Sequence, residues 1–220
     1  MQEEYIDYTI NREKTNSAFA NFFDILESFI YAIAAVVIVF LFFGRLSVVD
    51  GQSMDDTLSH GEYLFVANPL FLYEPYNGDI VVIDGGEAFY PYDEPIVKRI
   101  IATEGQTLTI NFKEESVYVD GILIDEPYAK YERIDYFGNY VSTYKYHNDY
   151  LELFGRDSYY DEATGIYTVT IPQDHVFVMG DNRLNSADSR VSQIGFVHED
   201  YIVGKAVFRL FPFSSMGGLY

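Results

Sequence analysis

Between residues 25 and 43 the sequence reads ILESFIYAIAAVVIVFLFF, an apolar run with one charge, Glu27, near its start. At a helical rise of about 1.5 Å per residue it extends roughly 28 Å, close to the ~30 Å hydrocarbon core of a bilayer. A cleavable export signal would open on a basic stretch and close on small residues, whereas here a mostly acidic stretch precedes and Phe42-Phe43-Gly44-Arg45 follows. A soluble helix apolar all round would need a larger protein to wrap it. The run is therefore expected to be a transmembrane anchor, with residues 1–24 as a cytoplasmic tail. Arg12 and Lys14 lie ahead of it and Arg45 just after it, a bias that puts the N-terminus in the cytoplasm and the bulk of the chain outside.

Beyond the span the helical period vanishes. Short β-branched and aromatic runs recur at 63–67, 79–83, 96–102, 107–111, 116–119, 166–171, 176–179 and 202–208. Gly, Pro, Asn and Asp punctuate them, as in Asn77-Gly78-Asp79 and Gly180-Asp181-Asn182. The pattern predicts a mainly β body over 44–220, an antiparallel barrel-like or sandwiched assembly. Val119-Asp120-Gly121-Ile122 is the clearest hairpin turn, since Asp-Gly tolerates positive φ. Residues 128–167 are Tyr-rich, acid-rich and poor in aliphatics, and read as an excursion or lobe outside the main core.

Composition narrows the chemistry. Once the N-terminal segment is set aside, a chain of 220 residues has room for one sizeable core, or a core with a smaller appended subdomain. The absence of cysteine removes disulfides, thiol nucleophiles and Cys-based zinc sites, so covalent chemistry must use oxygen or nitrogen. A net charge of -20 argues against nucleic acid as a partner and for an acidic, solvated surface. His60, His147, His175 and His198 lack metal-ligand spacing, and none lies in a segment that looks built around it. They read as surface residues, with no metal and no cofactor implied.

Three stretches carry candidate chemistry. In Gly51-Gln52-Ser53-Met54-Asp55-Asp56-Thr57-Leu58, Ser53 follows closely on the apolar run and is a candidate nucleophile. In Pro95-Ile96-Val97-Lys98-Arg99-Ile100-Ile101, Lys98 shares a strand face with Ile96 and Ile100, and burial there would lower its pKa toward that of a base. Arg99 is likewise flanked by Val97 and Ile101, so alternation alone leaves open which of the two turns inward. The third stretch, Gly180 to Arg190, is a loop dense in short polar side chains with an Asp188/Arg190 pair that suggests a braced platform.

Taken together, Gly51-x-Ser53-Met54, Lys98-Arg99-Ile100-Ile101 and Gly180-Asp181-Asn182-Arg183-x-Asn185-Ser186-x-Asp188-Ser189-Arg190 resemble the motifs of type I bacterial signal peptidases, in their usual order. Weaker matches are Gly78-Asp79-Ile80-Val81, Asp120-Gly121 with Glu126-Pro127-Tyr128, and Gly204 with Pro212-Phe213. The resemblance implies a membrane-bound Ser/Lys protease of the Gram-positive, single-anchor type, with a β-rich body outside the membrane. Its partners would be exported preproteins bearing signal peptides, and membrane lipid. Carried over by position, Ser53 is the nucleophile, Lys98 the general base, Ser186 the hydroxyl that orients the lysine, and Asp188 with Arg190 the bracing pair. Gly51, Met54 and Ile96 would wall the substrate site, and Gly51 offers no side-chain donor to an oxyanion.

Two departures from the family pattern bear on the chemistry. Asp56 stands where the family usually has proline, and a carboxylate near Lys98 would raise its pKa, the wrong direction for a base. Ala102-Thr103-Glu104-Gly105 replaces a common Gly-x-Pro-Gly. They motivate an alternative, a weakly active or specialised paralogue that binds or assembles a few exported proteins.

Overall fold

The computed structural model describes residues 2–68, 73–91, 94–131, 158–161 and 164–219. The chain divides into two compact units, Met1–Gly44 and Arg45–Tyr220.

The first unit is one helix, α1 (Gln2–Phe43). Helical backbone runs back through the residues whose composition reads as a tail, a stretch with neither glycine nor proline to interrupt it. Asn21–Ile38 has a mean hydropathy of 1.7 and is long and apolar enough to cross a membrane. Every side chain in that stretch is exposed.

The second unit is mainly β. Its strands are β1 (Gly44–Val48), β2 (Tyr63–Ala67), β3 (Ile80–Ile83), β4 (Ile96–Ala102), β5 (Thr107–Asn111), β6 (Ser116–Val119), β7 (Ile122–Leu123), β8 (Ser158–Asp161), β9 (Ile166–Thr170), β10 (His175–Met179), β11 (Val197–His198), β12 (Ile202–Phe211) and β13 (Gly217–Gly218). An eight-stranded sheet runs β1-β2-β12-β3-β4-β10-β11, with β13 on β12, and a five-stranded sheet runs β7-β6-β5-β9-β8. From β2 onward the strands pair antiparallel.

Strand β12 joins the larger sheet across two partners, β3 along its first half and β2 along its second. Register shifts between Ile202 and Gly204, Ala206 and Phe208, and Arg209 and Phe211 bend it on the way. Gly204 allows the crossing, because a Cβ there would come within 2.1 Å of the Ala67 carbonyl oxygen.

Alternating side chains give the larger sheet a core on each face. Val81, Ile83, Ile100 and Ala102 join the main cluster with Leu108, Ile110, Val169 and Val178, while Ile80, Val82 and Val97 join a second cluster with Leu64, Val66 and Ala206. Strand β4 is buried along almost its whole length, so the expected choice between Lys98 and Arg99 does not arise: both are inside, 3% and 2% exposed. The predicted hairpin turn forms, with φ 51° at Asp120 and 78° at Gly121 and Val119 opposite Ile122. Most of the expected excursion, 128–167, lies outside the described residues, but its far end is sheet: β8 pairs with β9 through Tyr160 opposite Tyr167.

Candidate active site

Burial fixes the serine turn from behind. Met54 and Leu58 are 1% and 0% exposed and belong to the second core cluster with Val97. A single helical turn, Leu58 N–H donating to the Met54 carbonyl at 2.8 Å, spaces them to point the same way. Arg209, from β12, donates to the Thr57 carbonyl at 3.0 Å and to Glu62 at 2.8 Å. Ser53, half-buried, is left at the head of the turn.

Lys98 meets it from β4. Val81 of β3 sits opposite Lys98 on one side, and Met179 of β10 sits opposite Arg99 on the other. One further step of that antiparallel register brings the chain leaving β10 at Gly180 alongside Lys98. Lys98 Nζ lies 2.8 Å from Ser53 Oγ and donates to the carbonyl of Val97 at 2.9 Å. Burial lowers the Lys98 pKa to about 8; Asp188 and Asp181 oppose the shift and Arg190 adds to it.

The loop after β10 closes the third side. Asn182 N–H donates to the Ser53 carbonyl at 3.0 Å, and its side-chain amide donates to the Gln52 carbonyl at 3.0 Å. Asp188 accepts Gly180 N–H at 2.9 Å and binds Arg190 through two bonds of 2.8 Å. Burial would raise the Asp188 pKa, but Arg190, Gly180 N–H and a hydrogen bond from Ser186 outweigh it and hold the carboxyl ionised. Ser186 is 5% exposed, and its hydroxyl lies against Gly180.

Two buried pairs brace this loop from outside. Arg99 grips Asp181 with bonds of 2.9 and 2.7 Å, and the Tyr128 ring covers its guanidinium at 3.8 Å. Arg183, fully buried, binds both carboxylate oxygens of Glu126 and the Tyr131 hydroxyl. Backbone bonds from Lys130 N–H to the Asp181 carbonyl and from Arg183 N–H to the Lys130 carbonyl stitch the same two segments together. Sequence reasoning named Asp188 and Arg190 but missed Arg99–Asp181 and Arg183–Glu126. Opposite charges inside separate motifs were the available signal for both, Arg99 against Asp181 and Arg183 against Glu126.

Asp56 turns outward. Its carboxylate is 84% exposed and pairs with Lys130 at 3.1 Å, and it is not among the charges that act on Lys98. Glu104, the other departure, sits in the turn between β4 and β5 and accepts Asp174 N–H at 2.9 Å.

A cavity of about 280 Å³ opens beside Lys98, lined by Gly51, Ile96 and Val97 among others. Met54 is buried in the core instead of lining it. His60 is exposed and accepts Gly51 N–H at 3.3 Å, His175 and His198 stack edge to face at 4.9 Å, and His147 lies outside the described residues. Among the described residues no group of His, Asp and Glu side chains could hold a metal ion.

Comparison with known proteins decides the family. Residues 22–211 match the model of "Signal peptidase, peptidase S26". The chain belongs to the signal peptidase family, peptidase S26. It is 33% identical over 209 residues to signal peptidase I T of Bacillus subtilis, covering 94% of each chain. It is 31% identical to a signal peptidase I of Bacillus licheniformis, covering 94% of this chain and 98% of that one. A solved signal peptidase I from Enterococcus faecalis V583 matches 60% of this chain and 97% of its own, at 24% identity and a TM-score of 0.38. Family membership makes the chain a serine protease, a hydrolase of signal-peptide processing.

Proposed function

We infer that Ser53 and Lys98 form the dyad with which this protease cuts signal peptides from exported preproteins. The observation that carries the reading is the 2.8 Å approach of a buried amine, its pKa lowered to about 8, to the serine hydroxyl.

A neutral amine suits that geometry. One N–H donates to the Val97 carbonyl, which leaves the nitrogen lone pair to accept the hydroxyl proton. Ser53 Oγ then attacks the carbonyl carbon of the scissile peptide as Lys98 takes the proton. Collapse of the tetrahedral intermediate breaks the C–N bond, and the Lys98 ammonium returns its proton to the departing amine. Water, deprotonated by Lys98, then attacks the acyl carbon; the ester C–O bond breaks, Ser53 Oγ takes the proton back from Lys98, and the signal peptide leaves with its new carboxylate. The Ser53 N–H is the backbone donor available to the oxyanion, and Gly51 adds no side-chain donor. Ser186, Asp188 and Arg190 hold the surroundings of the amine, and the segments ahead of Ser53 and Lys98 flank an extended substrate as added strands.

Residues 25–43 anchor the enzyme in the cell membrane, with residues 1–24 in the cytoplasm and 44–220 outside. The apolar, wholly exposed stretch of α1 supports the anchor, and the Arg12/Lys14 bias supports the orientation.

The test is incubation of the detergent-solubilised chain with a preprotein bearing an Ala-x-Ala site. Wild-type protein should cleave it, while Ser53→Ala and Lys98→Ala should not. Cleavage that survives either substitution overturns the dyad.

A further inference from the structure

The cavity beside Lys98 has a charged rim that the dyad does not use. Asp50-Gly51 ahead of the serine and Glu94 to Lys98 ahead of the amine line it, together with Pro91. Each of the two segments contributes an acidic residue to the lining, Asp50 on the first and Glu94 on the second. Both side chains are exposed, and Glu94 makes no ion pair among the described residues. Asp50 lies 3.1 Å from the exposed His60 Nδ1, which is also 3.3 Å from the Gly51 nitrogen.

We propose that Asp50 and Glu94 form a cation-selecting rim, so that the enzyme favours signal peptides with lysine or arginine two or four residues before the cut. This rests on the reading of the cavity as the cleft for the signal-peptide side of the substrate. In an extended substrate alternate side chains point opposite ways. The first and third residues before the cut enter the cleft, and the second and fourth face outward along its rim. A cation there meets two carboxylates, and an anion is repelled by both. Neither rim carboxylate is among the charges that act on Lys98, so the rim attracts a cation without favouring protonation of the amine.

The test compares peptides with an Ala-x-Ala site that carry lysine, glutamine or glutamate at the second or the fourth residue before the cut. With the solubilised full chain at low salt, kcat/KM should follow lysine, glutamine, glutamate, with about tenfold between the extremes, carried mainly by KM. The ratio should shrink as salt is raised toward 0.5 M, by about the screening expected at a Debye length near 4 Å. Asp50→Asn combined with Glu94→Gln should bring it close to one. Equal values for lysine and glutamate peptides overturn the rim, and so does a preference that persists in the double variant, which would make the domain's overall acidity responsible. Fluorescence anisotropy with the Ser53→Ala protein reads the same preference as a ratio of Kd values with no chemistry involved. A failure of the dyad, seen as cleavage by Ser53→Ala or none by wild type, is thus separable from a failure of the rim.

Discussion

Asn182 donates its backbone N–H to the carbonyl oxygen of Ser53 at 3.0 Å, tying the loop after β10 to the turn that carries the nucleophile. The contact closes only because Gly180, just upstream, has no side chain. A Cβ on Gly180 would lie 2.4 Å from the Ser53 carbonyl oxygen and 2.3 Å from Ser186 Oγ.

Gly180→Ala should therefore push the loop and the serine turn apart by some tenths of an ångström. We expect kcat/KM to fall by about 100-fold or more, because a small misplacement of reacting groups is costly. Thermal denaturation should show a loss of stability much smaller than the loss of rate. Near-normal cleavage would mean that the turn and loop can separate without consequence.

The acid limb of the pH profile should report Lys98. The amine must be neutral to act as base, so kcat/KM should rise about tenfold per pH unit below its pKa of about 8 and level off above it. The same shift has a stability side. The folded-state pKa lies below the unfolded value of 10.5, so the unfolded chain binds more protons between the two and stability rises with pH across that window. The cost of burying Lys98 is fully present below pH 8. Lys98→Met should accordingly raise Tm more at pH 7 than at pH 10.5, with a difference on the order of 3 kcal/mol.

Asp56→Ala should change kcat/KM less than about twofold and leave the pH midpoint where it is. The carboxylate faces solvent and Lys130, and an exposed pair of this kind contributes about 1 kcal/mol at most. A lowered midpoint in the variant would show that Asp56 does reach Lys98. The suspicion that Asp56 marks a weakened enzyme loses its basis with this geometry.

Glu126→Gln should be the most destabilising of these changes. It leaves the Arg183 guanidinium fully buried with its counter-charge removed, a loss of about 3 to 5 kcal/mol. Denaturant titration measures it. Glu126→Gln paired with Arg183→Met should recover part of the loss, because no uncompensated charge then remains.

Local pattern carried the strands well and their partners poorly. The runs 96–102, 107–111 and 116–119 became strands with the same bounds, because β-branched residues between turn signals are a local property. That β5 pairs with β9 across the stretch 112–165 is decided by tertiary packing and has no local mark. Alternation could not assign Lys98 and Arg99, because it presumes one wet face, and β4, between β3 and β10, has none. In the site, Ser53, Lys98 and the Gly180 to Arg190 loop were legible as motifs. The hold of Asn182 on Ser53 and of Arg183 on Glu126 needed the fold, since each joins residues far apart in the chain.

Arg99, Arg183 and Arg190 are turned wholly inward as ties to Asp181, Glu126 and Asp188. In a chain with 14 Lys and Arg against 34 Asp and Glu, that use of guanidinium groups leaves many surface carboxylates without a side chain to answer them. Their neutralising charge must come as mobile counter-ions from the surrounding medium. Folding draws the carboxylates together and condenses such ions around the domain, and unfolding releases them. The enzyme thus borrows part of its charge balance from the ionic composition of the space it faces.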